Sequence, residues 1–442
     1  MKLEAPASLS RLAPLPDYLA SIPPTWRVAR LRHAFNFNKG LTITKEDLQE
    51  EGIPCVSYGE VHSKYGFEVD PDRHPLKCVD ASYLKGNQAS LLKRGDFIFA
   101  DTSEDIEGSG NFTCYSSDRR AFAGYHTLIA KPKVPMNSRF MAYVFDSAAF
   151  RIQVQVEVKG VKVFSIGQGI LKPTFVWLPP RPQQDAVAAF LDEKCAKVDE
   201  AVRIKEEQIA LLRQRRQILI QEAVTRGLDP DAPMKDSGID WIGAIPAHWE
   251  VVPLKHLFRE RNDRSTSGTE ILLSLRMNEG LVPHDDVSDK PIGAEALKGY
   301  KKVSPGQVVM NRMRAAIGIF GIVRTGGIVS PDYATFDVAD RANGNFFLQL
   351  FKTTAMGQQF RNASRGLGTG SSGFMRLYTD DFGAISVALP PYAEQREVVS
   401  HIQNLSEKID AAVQLKTEQI AVLKEYKSTL INAAVTGKIK VA

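Results

Sequence analysis

Two stretches of the chain repeat apolar residues every three or four positions, each for about five heptads. The first carries Val187, Leu191, Val198, Val202, Ile209, Leu212, Leu219 and Ala223 on one face. The second carries Val398, Ile402, Leu405, Ile409, Val413, Ile420, Leu423, Leu430 and Ala434. A seam of this period and length predicts a long helix of coiled-coil type. Each helix of about 40 residues would extend roughly 60 Å at 1.5 Å per residue, more than one globular core needs, so each reads as a spacer. Charges interrupt the seam at Lys205 and Arg216 and, equivalently, at Lys416 and Lys427. Polar seam positions set register or antiparallel pairing at a cost in stability. Gly227 and Gly437 stand where the helices should stop, because glycine tolerates the conformation that ends a helix.

The regions before each helix have a different texture. Short β-like runs (DFIFA, QVVMN, AISVAL) alternate with Gly, Pro and Asn punctuation, and helical stretches such as NFFLQLFKTTAMGQQF intervene. The fold class expected is α+β with mostly antiparallel sheet, two β-rich globular regions alternating with two long helices.

The chain is written twice. LPPRPQQDAVAAFLDEKCAKVDEAVRIKEEQIALLRQRRQILIQEAVT from Leu178 matches LPPYAEQREVVSHIQNLSEKIDAAVQLKTEQIAVLKEYKSTLINAAVT from Leu389 at an offset of 211, with about 20 identities over 48 gapless positions. IPPTWRVARLRHAF from Ile22 is echoed by IPAHWEVVPLKHLF from Ile245, 223 positions on. KRGDFIF from Lys93 and SPGQVVM from Ser304 keep the offset of 211. A repeat on this scale predicts two copies of one unit, each a globular region of about 150 residues followed by a helix.

The stretch ALPPY, residues 388–392, imitates the Asp/Asn/Ser-Pro-Pro-aromatic loop of adenine-N6 methyltransferases. Its first position must accept a hydrogen bond from the target amine, and Leu389 has no acceptor. The first copy, LPPR, lacks the aromatic as well. Proline suits a helix entrance, where a missing N–H is harmless, so these prolines predict helix starts.

At 442 residues the chain can build two to four cores, and 43% hydrophobic with 24% charged residues is ordinary globular composition. Cys55, Cys78, Cys114 and Cys195 are far apart, with no C-x-x-C, which argues against a zinc ribbon or disulfide framework and for a reducing cytoplasm. No apolar run approaches membrane-spanning length, and MKLEAPASLSRLAPL has no signal-peptide core.

The net charge of +5 is mild, but its distribution is uneven. Residues 296–331 hold Lys298, Lys301, Lys302, Arg312, Arg314 and Arg324 without an acid; residues 341–379 hold Arg341, Lys352, Arg361, Arg365 and Arg376, again without one. Residues 119–145 and 158–184 repeat the pattern in the first copy. Basic segments mixed with Asn, Ser, Gly and aromatics suit phosphate and base-edge contacts. The DNA-contact candidates are Lys39, Tyr58, Lys64, Tyr65, Arg119, Arg120 and Lys159 in the first unit. In the second they are Arg261, Arg264, Arg276, Asn311, Arg312, Arg314 and Arg365. Arg can read guanine and Asn adenine through bidentate contacts, though phosphate anchoring is the commoner fate of a basic side chain.

Catalytic alternatives fail on spacing. Gly366, Gly368 and Gly370 in SRGLGTGSSG lack the preceding strand and following helix of a nucleotide loop, and read instead as a loop near DNA backbone, with Ser364, Arg365, Ser371 and Ser372 as donors. Asp192, Glu193 and Lys194 lie within the first helix, where charges form a solvated face. The histidines show no metal spacing; His33 and His256 are repeat partners beside apolar residues and read as structural. No P-loop Gly-Lys-Ser/Thr occurs.

KDSGIDWIGAIPAHWEVVPLKHLF (residues 235–258) and LPPYAEQREVV (residues 389–399) resemble segments at the start of a target-recognition domain and of a spacer helix in specificity subunits of type I restriction–modification systems. The resemblance extends through both half-repeats. The first copy departs from it: LPDYLASIPPTW lacks Gly-x-x-Trp-Ile-Gly, and Gln183-Gln184 replaces Glu-Gln. The resemblance implies an extension at 1–21, recognition domains at 22–178 and 245–389, helices at 179–227 and 390–442 (with the C-terminal tail), and a linker at 228–244. It further implies that the helices pair as an antiparallel coiled coil, that each domain reads half of a bipartite asymmetric site in double-stranded DNA, and that the chain is not itself an enzyme. Two modification subunits would dock on it, bringing S-adenosylmethionine, and two restriction subunits, where present, would use ATP and Mg. No cofactor or metal is expected on this chain, and its expected location is a prokaryotic cytoplasm. The competing readings are a stand-alone methyltransferase or nuclease, and a coiled-coil adaptor that binds only proteins.

Overall fold

The computed structural model describes residues 22–441 apart from 161–162, 278, 291 and 367–374. The extension 1–21, Lys162, and Gly368, Gly370, Ser371 and Ser372 of the glycine-rich stretch lie outside the described residues. Contacts divide the chain into two units, one of residues up to Lys205 with Glu418 onward, the other Glu206–Thr417.

The first unit opens with strand Arg27–Arg30, antiparallel to Phe175–Leu178 with Arg27 opposite Leu178. Its main sheet has five strands in the order Phe35–Lys39, Thr127–Pro132, Phe97–Ala100, Phe112–Tyr115 and Phe67–Val69. A second, four-stranded sheet is built around Ile53–Val56 and Ala121–Ala123. Pairing is antiparallel except between those two strands and between Phe67–Val69 and Phe112–Tyr115, which run parallel. Fully buried Phe35, Phe97, Phe99, Phe112 and Phe145 fill the space between sheet and helices Ser138–Asp146 and Ala148–Gln155. Aromatic rings of this size dominate the burial energy of such a core.

The second unit repeats this plan. Strand Glu250–Pro253 is antiparallel to Ser386–Leu389, with Glu250 opposite Leu389. Its main sheet has the order Phe258–Arg261, Tyr333–Val338, Val308–Asn311 and Phe320–Ile322. Phe258, Phe320, Phe336, Phe347, Phe351, Phe360 and Phe382 make its core with helices Gly344–Phe351 and Thr354–Ala363.

The long helices span Arg181–Arg226 and Tyr392–Val435. Each unit takes the start of one and the end of the other. In the first, Val187 and Leu191 share a core with Leu430, Ile431, Ala434 and Val435. In the second, Val398 and Ile402 share a core with Ile220, Ala223 and Val224. The helices are antiparallel within each unit. Lys427 Nζ lies 2.7 Å from Asp199 Oδ1 and Lys205 Nζ 2.7 Å from Gln419 Oε1 in the first. Arg216 NH1 lies 2.6 Å from Asp410 Oδ1 and Lys416 Nζ 2.7 Å from Gln208 Oε1 in the second. All four seam interruptions are cations that reach across to the facing helix.

Both Leu-Pro-Pro segments join a strand to a helix, as the repeat predicts. Leu389 is buried at the end of its strand, and the helix begins three residues later at Tyr392. A buried glutamine fastens each corner. Gln184 accepts from Asn137 N at 2.8 Å and donates to the Pro179 carbonyl at 2.8 Å; Gln395 accepts from Asn343 N at 2.7 Å and donates to the Pro390 carbonyl at 2.8 Å. Gln183, where the first copy departs from Glu-Gln, accepts from Trp26 Nε1 at 3.0 Å, just as Glu394 accepts from Trp249 Nε1 at 3.1 Å. A neutral amide oxygen does the work of the carboxylate. His33 and His256 are not core histidines: both are exposed at the surface.

Candidate nucleic-acid interface

In the second unit the sheet register gathers several candidates at one edge. Asn311 ends its strand opposite Tyr333, and Arg261 ends the strand on the other side of Tyr333–Val338, opposite Thr335. The chain then turns sharply. Asn311 accepts backbone hydrogen bonds from Arg314 N (at its carbonyl, 3.0 Å) and Met313 N (at Oδ1, 3.1 Å), and Gly318 closes the following short helix at φ +75°. Arg312 and Arg314, flanking Met313 on this turn, point differently. Arg314 is exposed and has no acid partner among the described residues, while the Arg312 side chain is only 18% exposed and bonds Glu260 Oε1 at 2.6 Å.

A second segment joins the turn. Arg365 and Arg376 exchange backbone hydrogen bonds, both 2.9 Å, and Leu377 N donates to the Arg312 carbonyl at 2.9 Å. Arg276 ends strand Leu273–Arg276, donating to the Val287 carbonyl at 3.3 Å. Half-buried Tyr333 lies within reach of both Arg314 and Arg276: burial pushes its phenol up while the two guanidiniums pull it down. Arg264 is occupied with the Gly299 carbonyl at 2.8 Å, and Arg261 and Arg365 are paired with Asp337 and Asp381.

The first unit presents the same edge with other chemistry. Lys39 ends its strand exposed opposite Leu128. Tyr58 stacks on His62 with centroids 5.0 Å apart, and Tyr65 stacks on His74 at 4.6 Å. Lys64 bonds Glu60 at 3.2 Å. Strand Phe164–Ser165 pairs with Thr102–Ser103, bringing the segment that contains exposed Lys159 to this edge. His126 holds a left-handed φ of +53° and places Nδ1 3.1 Å from Asp101 Oδ1. Strain at a non-glycine residue persists only where its surroundings hold it. The loop after Ala100 adds Glu104, Asp105 and Glu107, exposed acids, and burial together with the charges of Glu104, Asp105 and Asp101 pushes the Tyr58 phenol up. Arg119 and Arg120 do not join this group. They follow strand Phe112–Tyr115 at the opposite end of the sheet, near Arg94 and Asp118, and Arg119 lies 3.5 Å from Asp72.

The acid-free segments are therefore acid-free only in sequence. Arg312 and Lys301 meet Glu260, Lys302 meets Glu270, Arg376 meets Asp332, and Arg139 meets both Glu68 and Asp192. Among the candidates, Lys39, Arg120, Lys159, Arg264, Arg276 and Arg314 keep exposed cations with no acid partner among the described residues, Arg264 and Arg276 bonding only backbone carbonyls. Sequence reasoning missed Tyr333, whose place beside Asn311 is visible only in the register, and His126, its neighbour in the equivalent turn of the first unit. Nothing else suggests chemistry: among the described residues no cluster of His, Cys, Asp and Glu could hold a metal, and no helix is long and apolar enough to cross a membrane.

No family model matches the chain. Individual proteins do. It is 21% identical over 437 residues to the putative type I restriction enzyme MjaX specificity subunit of Methanocaldococcus jannaschii, covering 96% of each chain. It is 21% identical to the EcoBI specificity subunit of Escherichia coli, covering 95% of this chain and 88% of that one. Among solved structures, a chain from a study of the assembly and conformational transition of a type I R-M system superposes with a TM-score of 0.67 at 15% identity, covering 95% of this chain and 99% of that one. The HsdS subunit from Thermoanaerobacter tengcongensis gives 0.53 at 16% identity, covering 95% and 98%. Along nearly its whole length the chain is similar in sequence to type I restriction enzyme specificity subunits, and it shares the fold of a solved HsdS subunit.

Proposed function

We propose that the chain is the non-catalytic DNA-recognition subunit of a type I restriction–modification complex. The observation that carries this is likeness to specificity subunits over 96% of its length, extending through both copies of the repeat. Each unit would read half of a bipartite site through the sheet edge described above. Arg276, Arg314 and Asn311 would work beside Tyr333 in the second unit; Lys39, Tyr58, Lys64 and Lys159 would do so in the first. The two edges differ in charge and residue type, so the two half-sites would differ in sequence. The paired helices would set their spacing. Two methyltransferase subunits would dock on the duplicated scaffold, since similar faces suit identical partners. They would supply S-adenosylmethionine and the methylation loop that Leu389 cannot form. Restriction subunits, if present, would add ATP- and Mg-dependent cleavage.

The test compares binding of the chain assembled with its modification subunit to specific and random duplexes, the site having been mapped from methylated adenines in a host carrying both. Equal affinity for both duplexes would end the proposal. Methyl transfer by the isolated chain with labelled S-adenosylmethionine would favour a stand-alone enzyme instead. An affinity and salt slope unmoved by charge reversal at Arg314 would favour a protein-only adaptor.

A further inference from the structure

The second unit contains a polar cluster that its fold does not require. Glu260 Oε1 accepts from Lys301 Nζ at 3.1 Å and from Arg312 NH2 at 2.6 Å, and Glu260 Oε2 accepts from Thr379 Oγ1. Arg312 NH2 also reaches Thr379 Oγ1 at 3.1 Å. Lys301 is 3% exposed and Arg312 18%, so both cations have given up most of their hydration. Arg312 Nε is buried without a hydrogen-bond partner, a cost tolerated for the sake of the rest of the arrangement.

The same four positions of the first unit hold Phe37, Ser90, Asp101 and Gln168. There Phe37 sits in the same strand, opposite Ala130 where Glu260 sits opposite Phe336. The corresponding strands form in the same order without an ion cluster joining those positions; Asp101 instead meets His126 at 3.1 Å. Replacing a buried ion cluster with apolar residues is often neutral or stabilising, so stability alone gives weak reason to keep one.

Its location supplies the reason. Arg312 lies between Asn311 and Arg314 on the turn at the sheet edge, and its carbonyl accepts from Leu377 N, the residue after Arg376. Thr379 begins the helix that follows. One carboxylate thus ties the turn, the Arg365/Arg376 pairing and that helix to the sheet. We infer that Glu260 is a positioning residue for DNA recognition by the second unit, holding Arg312 inward so that the turn presents Asn311 and Arg314 in one fixed geometry. Bidentate base contacts depend on such fixing, whereas phosphate contacts are more tolerant of displacement.

This inference rests on the function proposed above. The test uses the full chain assembled with its modification subunit and duplexes in which one half-site at a time is altered. The half belonging to the second unit is the one whose discrimination Arg314→Ala lowers. Glu260→Gln, Arg312→Lys and Thr379→Val should each lower discrimination at that half, by about tenfold for Glu260→Gln, given that a good bidentate contact discriminates by roughly that much or more. Discrimination at the other half should stay unchanged, which also reports that the chain is folded, and affinity for random DNA and its salt slope should barely move. Unchanged discrimination in all three variants would overturn the inference. So would an equal fall at both halves, the signature of a merely structural role. A wild-type complex that discriminates at neither half would instead overturn the proposed function.

Discussion

Arg216 NH1 lies 2.6 Å from Asp410 Oδ1, and the residues occupying the same places in the other copy, Lys427 and Asp199, are 2.7 Å apart. These two seam cations each meet an acid on the facing helix, whereas Lys205 and Lys416 meet glutamines. Exposed pairs of this kind contribute roughly 0.2–1 kcal/mol. Arg216→Glu should therefore destabilise by about 1 kcal/mol once repulsion from Asp410 is included, and adding Asp410→Arg should recover most of it. Urea unfolding of both single variants and the double variant measures the coupling.

Gly227 and Gly437 end the helices at φ +78° and +73°. A Cβ on Gly437 would come within 2.5 Å of Pro23 Cγ and 3.3 Å of Trp26 Cη2; on Gly227 it would meet Glu394 Oε1 at 2.9 Å and Trp249 Cζ2 at 3.3 Å. Either alanine substitution should cost about 1–2 kcal/mol from backbone conformation alone. The contact with Pro23 should make Gly437→Ala the worse of the two, read as the larger fall in Tm.

Gln395→Leu would remove the acceptor for Asn343 N and the donor to both Pro390 O and Arg341 O. Buried groups left unpaired cost roughly 1–3 kcal/mol each. A loss of about 3 kcal/mol is expected in chemical denaturation, and a similar one for Gln184→Leu. A cost below 1 kcal/mol would show that water replaces the amide.

Burial pushes the Glu260 carboxyl up, but Thr379, Lys301 and Arg312 outweigh it and hold it below the ordinary carboxylate range. A carboxyl lowered in the folded state stabilises at pH values above its unfolded value, about 4.3, and that contribution disappears as pH falls through the folded value. Glu260→Gln leaves two mostly buried cations without their anion and should cost about 3 kcal/mol at pH 7. The difference from wild type should begin to shrink as pH falls below the unfolded value, and should vanish only once pH has passed the lowered folded value. Denaturation at pH 7 and at pH 3.5 checks the sign.

Arg276→Ala and Arg314→Ala should each reduce the slope of log affinity against log salt by about 1 if the side chain meets a phosphate. If it instead reads a base, sequence preference should relax at one position at a cost of about 1–3 kcal/mol. Titrations at several salt concentrations separate the two.

The long helices, the duplication and the proline-marked corners were legible in the sequence, because they rest on local periodicity and gapless matching. The seam cations were legible too, down to their equivalence. Free and occupied arginines were not. Arg312 finds Glu260 52 residues away, and Arg376 finds Asp332 44 residues away, across strands whose order no local pattern gives. A segment without acids is still surrounded by other segments that have them. His33 and His256 misled for a related reason, since apolar neighbours in sequence pointed inward while the imidazoles faced solvent. The acids at 104–107 have no local pattern that places them at the sheet edge; the pairing of Thr102–Ser103 with Phe164–Ser165, about 60 residues away, does so.

Trp177 donates its indole N–H to the carbonyl of Val435, 258 residues later, inside a core that also contains Leu430, Ile431 and Ala434. The second unit, by contrast, borrows residues 220–224, which emerge before it does. On a ribosome adding about 5–20 residues each second, the first unit must wait on the order of 10–50 s for its last piece after its own segment is made. The half synthesised first is thus the half finished last. During that interval its apolar pocket stands open to chaperones, proteases and the equivalent helix end of its own chain, whose Ile220, Ala223 and Val224 correspond to Ile431, Ala434 and Val435.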